Sequence, residues 1–328
     1  MGKLFPYIDI FIVIFALTNI FSQKSFKINN KYILIFAIFA IISNLLYFNL
    51  YPWFYLIRLL SLLSFILFPI KLNNNQTKFF NIILASTIIF GFIQYFVWPD
   101  LTIMKIQNWD PHLYRLVGTY LDPTFTGLIF LFIILYVYFS NFKYKSLFLF
   151  LTYIATALTY SRSTLISFLF IFTYISIIKK NIKIFFITLL VFIFTIFALP
   201  RMPGEGTKLE RDSSIYAKIE NYKQGINIFI KNPIIGIGYN NIPLLNYKNN
   251  LSSHSNSGFD SSLLTIGITT GICGFIFLLL GLRYEFINGN LFYKSLLIAI
   301  LVHSLFANSL FYPYTFLLLA TLKSKTQK

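Results

Sequence analysis

The sequence is poor in charged residues and almost devoid of cysteine. Only 11% of its 328 residues are charged, whereas soluble domains carry about 25%. The single cysteine, Cys273, excludes an intramolecular disulfide and a metal site built from cysteines. A chain that is 57% hydrophobic and 20% aromatic cannot hide its apolar surface in a water-soluble core. The composition therefore predicts that lipid is the solvent.

The net charge of +17 does not indicate nucleic-acid binding. Most lysines and arginines stand in short gaps between apolar runs, where they indicate topology rather than a binding surface. We therefore expect no nucleic-acid partner. The first apolar run has no small-residue cleavage site after it, so this segment is expected to remain in the protein.

The apolar runs predict an all-α, polytopic membrane protein, because a bilayer core about 30 Å thick needs about 20 helical residues. Residues 146–178 are too many for one crossing, and we expect a hairpin there with Arg162 at its outer tip. With this division about eleven spans are predicted, at 5–22, 32–50, 53–70, 79–98, 120–139, 146–160, 164–178, 183–199, 262–282, 294–307 and 309–322.

The distribution of basic residues predicts the orientation. Counted from the N-terminus, the odd-numbered gaps between the predicted spans are rich in lysine, and so is the C-terminal tail. Together these segments contain one acid, Glu285. By the positive-inside rule these segments are cytoplasmic, which leaves residues 200–261 as one large outer loop. Within this loop, apolar residues spaced on one helical face predict an amphipathic helix at 216–231, lying on or near the membrane. The glycines of PIIGIGYNN predict a turn after it.

This orientation collects reactive and cationic side chains near the outer face. Arginine is costly at membrane depth, and its planar fork of donors suits phosphate oxygens, so the arginines suggest a pyrophosphate joined to a lipid tail. Ordinary roles are the alternative: local pairing, a helix cap or a hydrogen bond to a neighbouring helix. The candidates are Arg58, Arg115, Arg162, Arg201, Arg211, His254, Asp260 and His303.

Five motifs follow one another in a specific order: RLVGTYLDPTFTG at 115–127, TYSRSTLISF at 159–168, ERDSS at 210–214, KNPIIGIGYNN at 231–241 and DSSLLTIGITTGICG at 260–274. Their order and spacing resemble the O-antigen polymerase and O-antigen ligase superfamily over about two thirds of the chain. Thr124 departs from the family pattern, which usually has asparagine there. We expect N-terminal transmembrane helices at 1–114 and the family-like membrane domain at 115–328.

The resemblance implies a metal- and cofactor-independent glycosyltransferase of the GT-C type, whose donor is a glycan on undecaprenyl pyrophosphate. Arg162 and Arg211 match the family arginines that hold the pyrophosphate, and Arg115 would support them. Arg58, Arg201 and His303 are further candidates for support. The catalytic base is His254 or Asp260; an aspartate at position 260, where ligases have histidine, resembles the polymerase branch.

The expected reaction is attack of an acceptor hydroxyl on the anomeric carbon, with departure of undecaprenyl pyrophosphate and inversion. The favoured function is a polymerase of O-antigen, capsule or exopolysaccharide repeats in the bacterial inner membrane, working at its outer face. Its expected partners are membrane lipid and the chain-length regulator and flippase of the same pathway. The alternatives are an O-antigen ligase or, in a different class, a flippase or transporter, although transporters commonly show repeated halves.

Overall fold

The computed structural model describes residues 6–23, 28–47, 50–70, 74–107, 112–141, 143–243 and 258–323. Within these ranges the regular structure is helical, apart from one isolated β-bridge, so the all-α prediction is confirmed. The helices are α1 (Pro6–Phe21), α2 (Lys31–Leu46), α3 (Leu50–Leu67), α4 (Asn74–Val97), α5 (Pro123–Phe139), α6 (Lys145–Ala157), α7 (Arg162–Ile178), α8 (Ile182–Ala198), α9 (Ser213–Lys231), α10 (Ser262–Asn288), α11 (Leu291–His303) and α12 (Pro313–Lys323). The predicted base His254 lies outside the described residues.

Each predicted apolar run coincides with a helix. Asn75–Val97 and Ser262–Asn288 are long and apolar enough to cross a bilayer. Eight further apolar helices in the described ranges contain only 10–17 residues, and 17 residues of α-helix extend about 25 Å. The count of eleven spans therefore stays a prediction. The amphipathic helix expected at 216–231 is present as α9.

Helix α8 exposes apolar side chains and buries threonines. In α8, Phe194 and Phe197 are 71% and 84% exposed, whereas Thr188 and Thr195 are buried. The Thr195 hydroxyl lies 2.6 Å from the Tyr153 hydroxyl, so the buried polar group has a partner. A large exposed apolar surface of this kind fits contact with lipid tails rather than water.

The chain forms two compact units. The first unit comprises residues 1–71, 216–289 and 304–328, and the second comprises 72–215 and 290–303. The chain passes from the second unit to the first within α9. The predicted domain division into 1–114 and 115–328 stays a prediction.

A buried ion pair connects four helices of the first unit. Lys323 Nζ lies 2.6 Å from Glu285 Oε2, and both side chains are nearly inaccessible. Lys323 also donates to the Ile66 carbonyl at 3.0 Å, and Asn30 Nδ2 donates to Glu285 Oε1 at 3.0 Å. Removing one member of such a pair costs about 3–5 kcal/mol, because the other charge is left buried. Glu285, the one acid of the basic gaps, therefore has a structural role.

Helix α10 is interrupted at Gly271, whose φ of 66° and ψ of −172° are not helical. Ile237 N donates to the Ile268 carbonyl at 3.0 Å, and Ile272 N donates to the Pro233 carbonyl at 2.8 Å. Non-helical backbone inside an apolar helix is tolerated only where its polar groups are paired. The predicted glycine turn thus has a second role: it supplies the hydrogen-bond partners of the interrupted helix.

Two glycines permit this close backbone contact. A Cβ on Gly271 would lie 2.1 Å from the Ile234 carbonyl oxygen, and one on Gly236 would lie 2.5 Å from the Thr269 carbonyl carbon. Both glycines also have positive φ, which side chains disfavour. Because backbone atoms cannot move aside as a flexible side chain can, only glycine fits at these positions.

We predict that Gly271→Ala destabilises the protein by more than about 2 kcal/mol, because it adds a backbone clash to an unfavourable φ. The matched control is Gly267→Ala in the same helix, where the new Cβ would meet only the Phe229 ring at 3.8 Å. Thermal unfolding in detergent measures both variants. Equal melting temperatures would show that the interruption tolerates a side chain.

Candidate functional site

The turn between α6 and α7 places Arg162 at the start of a helix. Ser161 caps α7, with its hydroxyl accepting from Thr164 N at 3.4 Å. Tyr160 adopts a left-handed φ of 52°, and its hydroxyl donates to the Pro200 carbonyl at 2.8 Å. The predicted break in the run 146–178 is confirmed, and the segment that follows α8 is attached to it.

Arg162 is held by main-chain and hydroxyl oxygens. Its Nη1 donates to the carbonyls of Leu209 and Arg211, at 3.2 and 3.0 Å, and its Nη2 donates to Ser214 Oγ. A guanidinium has five N–H donors, so these three hydrogen bonds leave two donors for a ligand. The half-buried side chain is thus oriented without being saturated.

Arg211 is held by carbonyls of its own loop. Its Nη1 donates to Gly206 O at 2.8 Å and to Lys208 O at 3.0 Å. Burial lowers the pKa of Arg211, and the positive charge of Arg162 lowers it further. Arg211 is half-buried, and Arg162 donates to its carbonyl, so the two cations are neighbours.

Arg115 is the most deeply buried of the three arginines, with 8% of its surface exposed. Its Nε donates to the Thr159 carbonyl at 3.0 Å. Burial lowers the pKa of Arg115 to about 10, with repulsion from Arg211 as the second cause. Gly206 lies beside it, since a Cβ there would come within 2.9 Å of Arg115 Cδ. Gly206 is therefore next to two of the arginines: its carbonyl accepts from Arg211, and Arg115 occupies the space that a side chain at position 206 would need.

Gln94 of α4 fixes the backbone around Arg115, and sequence reasoning did not find it. Its Oε1 accepts from Val117 N and Gly118 N at 2.8 and 3.2 Å, and its Nε2 donates to the Arg115 carbonyl at 3.4 Å. The residue is 4% exposed. A lone glutamine inside an apolar run was the available sequence cue, because amides are rare and partnered in such segments.

No carboxylate in the described part of the chain forms a salt bridge with the three arginines of the site. Among the described residues, Arg58 and Arg201 form salt bridges, but Arg115, Arg162 and Arg211 form none. Carboxylates attract two of them only from farther away. Three neighbouring cations repel one another, and a multivalent anion with several oxygen acceptors would relieve that repulsion. We call Arg115, Arg162 and Arg211 the arginine cluster.

A groove of about 550 Å³ adjoins the arginine cluster in the second unit. Seven of its ten lining residues are apolar, and Arg162 is one of the other three. An amphiphile with an anionic head and a hydrocarbon tail matches this combination. The groove is lined by Arg162, Leu165, Ile166, Phe192, Ile196, Phe197, Leu199, Arg201, Leu209 and Glu210.

Two further predicted residues also lie in the second unit. His303 is fully buried, with Nε2 3.0 Å from Ser163 Oγ and 3.3 Å from Thr164 Oγ1. It thus makes the expected hydrogen bonds to a neighbouring helix, directly after Arg162. Arg201 Nη2 lies 3.2 Å from Glu210 Oε1 in an exposed pair.

Arg58 and Asp260 lie in the first unit. Arg58 has a local partner: its Nη1 is 3.2 Å from Asp9 Oδ1, and its guanidinium lies over the Tyr55 ring at 4.8 Å. Asp260 Oδ2 is 3.2 Å from Lys218 Nζ. The cap of α10 is Ser261, not Asp260, because the Ser261 hydroxyl accepts from Leu264 N.

A family model described as O-antigen ligase matches residues 146–279. These residues are therefore similar to O-antigen ligases. The predicted relation to the O-antigen polymerase and ligase superfamily is thereby confirmed, and it implies activity of the ligase or polymerase type at a membrane. No curated protein sequence matches the chain.

The O-antigen ligase segment includes part of the candidate site. Arg162, Arg211 and the whole lining of the groove fall inside it, as do His254 and Asp260. Arg115 and His303 fall outside the matched residues. The arginine cluster therefore combines two residues of the family segment with one residue that precedes it.

We predict that inorganic pyrophosphate raises the melting temperature of the detergent-solubilised protein more than orthophosphate does. A ligand at 100 times its Kd stabilises the folded protein by about 2.7 kcal/mol.

Arg211→Gln should weaken pyrophosphate binding by about 10- to 100-fold, since a hydrogen bond to a charged group contributes about 1.5–3 kcal/mol. The control is Arg283→Gln, which removes one exposed arginine of the first unit. An equal loss in both variants would indicate general charge attraction.

Proposed function

We propose that the protein is a polysaccharide polymerase of the bacterial inner membrane. It transfers a glycan from undecaprenyl pyrophosphate to a hydroxyl of another lipid-linked repeat unit, at the outer face. The observation that carries this proposal is the arginine cluster, which forms no salt bridge among the described residues and adjoins an apolar groove through Arg162. The O-antigen ligase segment supports the reaction class.

The donor's two chemical halves match the two parts of the site. The diphosphate would bind the free N–H donors of Arg162 and Arg211, with Arg115 adding positive potential. The first isoprene units would occupy the groove, where Leu165 and Phe197 are among the lining residues. Burying hydrocarbon there contributes about 25 cal/mol per Å², so both halves add to affinity.

The proposed glycosyl transfer depends on stabilising the negative charge of the leaving diphosphate. The acceptor oxygen forms a bond to the anomeric carbon while the bond from that carbon to the diphosphate oxygen breaks, and the electron pair leaves with the diphosphate. Guanidinium groups stabilise the charge that develops on this leaving group. The acceptor proton passes to a base, either His254 or Asp260. Attack opposite the leaving group inverts the configuration, and no metal is required.

The choice of polymerase over ligase depends on position 260. In the resemblance, ligases have a histidine where this chain has Asp260, and the aspartate favours the polymerase branch. The proposal includes about eleven spans in a GT-C-like arrangement, residues 200–261 outside and the C-terminus in the cytoplasm. The exposed apolar face of helices such as α8 supports the membrane location.

We predict that deletion of the gene leaves single capped repeat units in place of long surface polysaccharide on a gel. Complementation with Arg162→Ala or Arg211→Ala should not restore long chains, because each variant removes a diphosphate contact, while protein levels stay unchanged. Arg283→Ala should restore them fully. Complete absence of capped material would instead indicate a ligase, and repeat units trapped inside the cell would indicate a flippase.

The two candidate bases should differ sharply. Loss of a general base lowers turnover by about 10²- to 10⁴-fold, so either His254→Ala or Asp260→Ala is expected to lose polymerisation while the other retains most of it. Chain length on the same gels and turnover of purified protein provide the measurement. Full activity in both variants would show that neither residue is the catalytic base.

A further inference from the structure

We propose that Arg201 is a fourth cation of the diphosphate site, which Glu210 holds in an ion pair until the substrate arrives. This inference rests on the proposed function. Arg201 Nη2 and Glu210 Oε1 are 3.2 Å apart, and both residues line the groove that Arg162 also lines. The pair therefore stands at the same cavity as the arginine cluster.

Arg201 differs from the arginine cluster in how it is held. Arg162 and Arg211 are anchored by main-chain carbonyls and are partly buried. Arg201 is 79% exposed, and its recorded partner is the 58% exposed side chain of Glu210. Exposed ion pairs contribute little stability, since water and salt screen them. The Arg201–Glu210 pair can therefore break at small cost, whereas the arginine cluster is fixed.

An arriving diphosphate would compete with Glu210 for Arg201. Phosphate oxygens carry more charge than one carboxylate and accept two parallel hydrogen bonds from a guanidinium. The carbonyls of the residues on either side of Glu210, Leu209 and Arg211, are both bonded to Arg162. The main chain there is thus restrained, and the exchange needs only side-chain rotation. Before the substrate binds, the Glu210 carboxylate thus occupies the place beside Arg201 that the diphosphate would take.

Glu210 also has a selective effect. Its negative charge lies at the groove and disfavours a weakly charged lipid head group, which could not displace it from Arg201. A diphosphate can displace it, because the substrate then gains a further cation. The pair should therefore make the groove prefer isoprenyl diphosphates over isoprenyl monophosphates.

The test measures binding of farnesyl diphosphate to the full-length protein in detergent by isothermal titration calorimetry. Glu210→Gln should bind about two- to fivefold tighter, the range that an exposed ion pair accounts for. Arg201→Gln should bind more weakly, and the double variant should match Arg201→Gln. The control is Asp212→Asn, which removes an equal charge from an exposed residue of the same loop that forms no salt bridge among the described residues.

Three results would overturn the inference. Glu210→Gln could bind no tighter than Asp212→Asn, which would make the gain a general charge effect. The gain could persist in the Arg201→Gln background, which would show that Arg201 does not receive the diphosphate. Glu210→Gln could bind as wild type yet lose polymerisation, which would place its carboxylate in the chemistry. If the wild-type protein does not bind farnesyl diphosphate, the proposed function itself is refuted.

Discussion

The mutual repulsion of three guanidinium groups is the constraint around which the second unit is organised. Arg115, Arg162 and Arg211 are oriented by main-chain carbonyls and a serine hydroxyl. Such dipoles fix the position of a guanidinium but do not cancel its charge. Arg162, which also lines the apolar groove, therefore brings positive charge to that groove. In the proposed function an anionic lipid head group would supply the missing negative charge, so binding and charge neutralisation would be the same event.

In the first unit the constraint is the pairing of buried polar groups, since an unpaired polar group is costly inside the protein. Lys323 and Glu285 neutralise one another inside the helices. The interruption of α10 exposes backbone groups, and residues 233–238 supply their hydrogen bonds. The glycines are required because backbone meets backbone, and no side chain fits between. Among the described residues, the buried charges Lys323 and Glu285 of the first unit are paired with each other, whereas the arginine cluster of the second unit forms no salt bridge.

Sequence patterns located the helices, the break before Arg162 and the arginines, because helical periodicity and the cost of a cation at membrane depth are local properties. They did not reveal Gln94 or Gly206, which act through main-chain hydrogen bonds and close approach between distant segments. The interruption at Gly271 was equally hidden, since the whole run 262–282 has the hydropathy of one unbroken span. Local pairing was the ordinary alternative for Arg58, with a backbone carbonyl as the expected partner, and the structure shows the Asp9 carboxylate there instead.

Composition and residue order alone determined that the chain is all-helical and suited to lipid, and that it carries motifs of the O-antigen polymerase and ligase superfamily. Both properties follow from the linear sequence, because hydropathy and motif spacing do not depend on how the helices pack. Only the tertiary structure decided which cations have a carboxylate partner and which have none. Arg201 and Arg211 are in the same polar loop, yet within the described ranges Arg201 forms a salt bridge and Arg211 forms none. Pairing depends on distances between side chains, and those distances arise only when the helices pack.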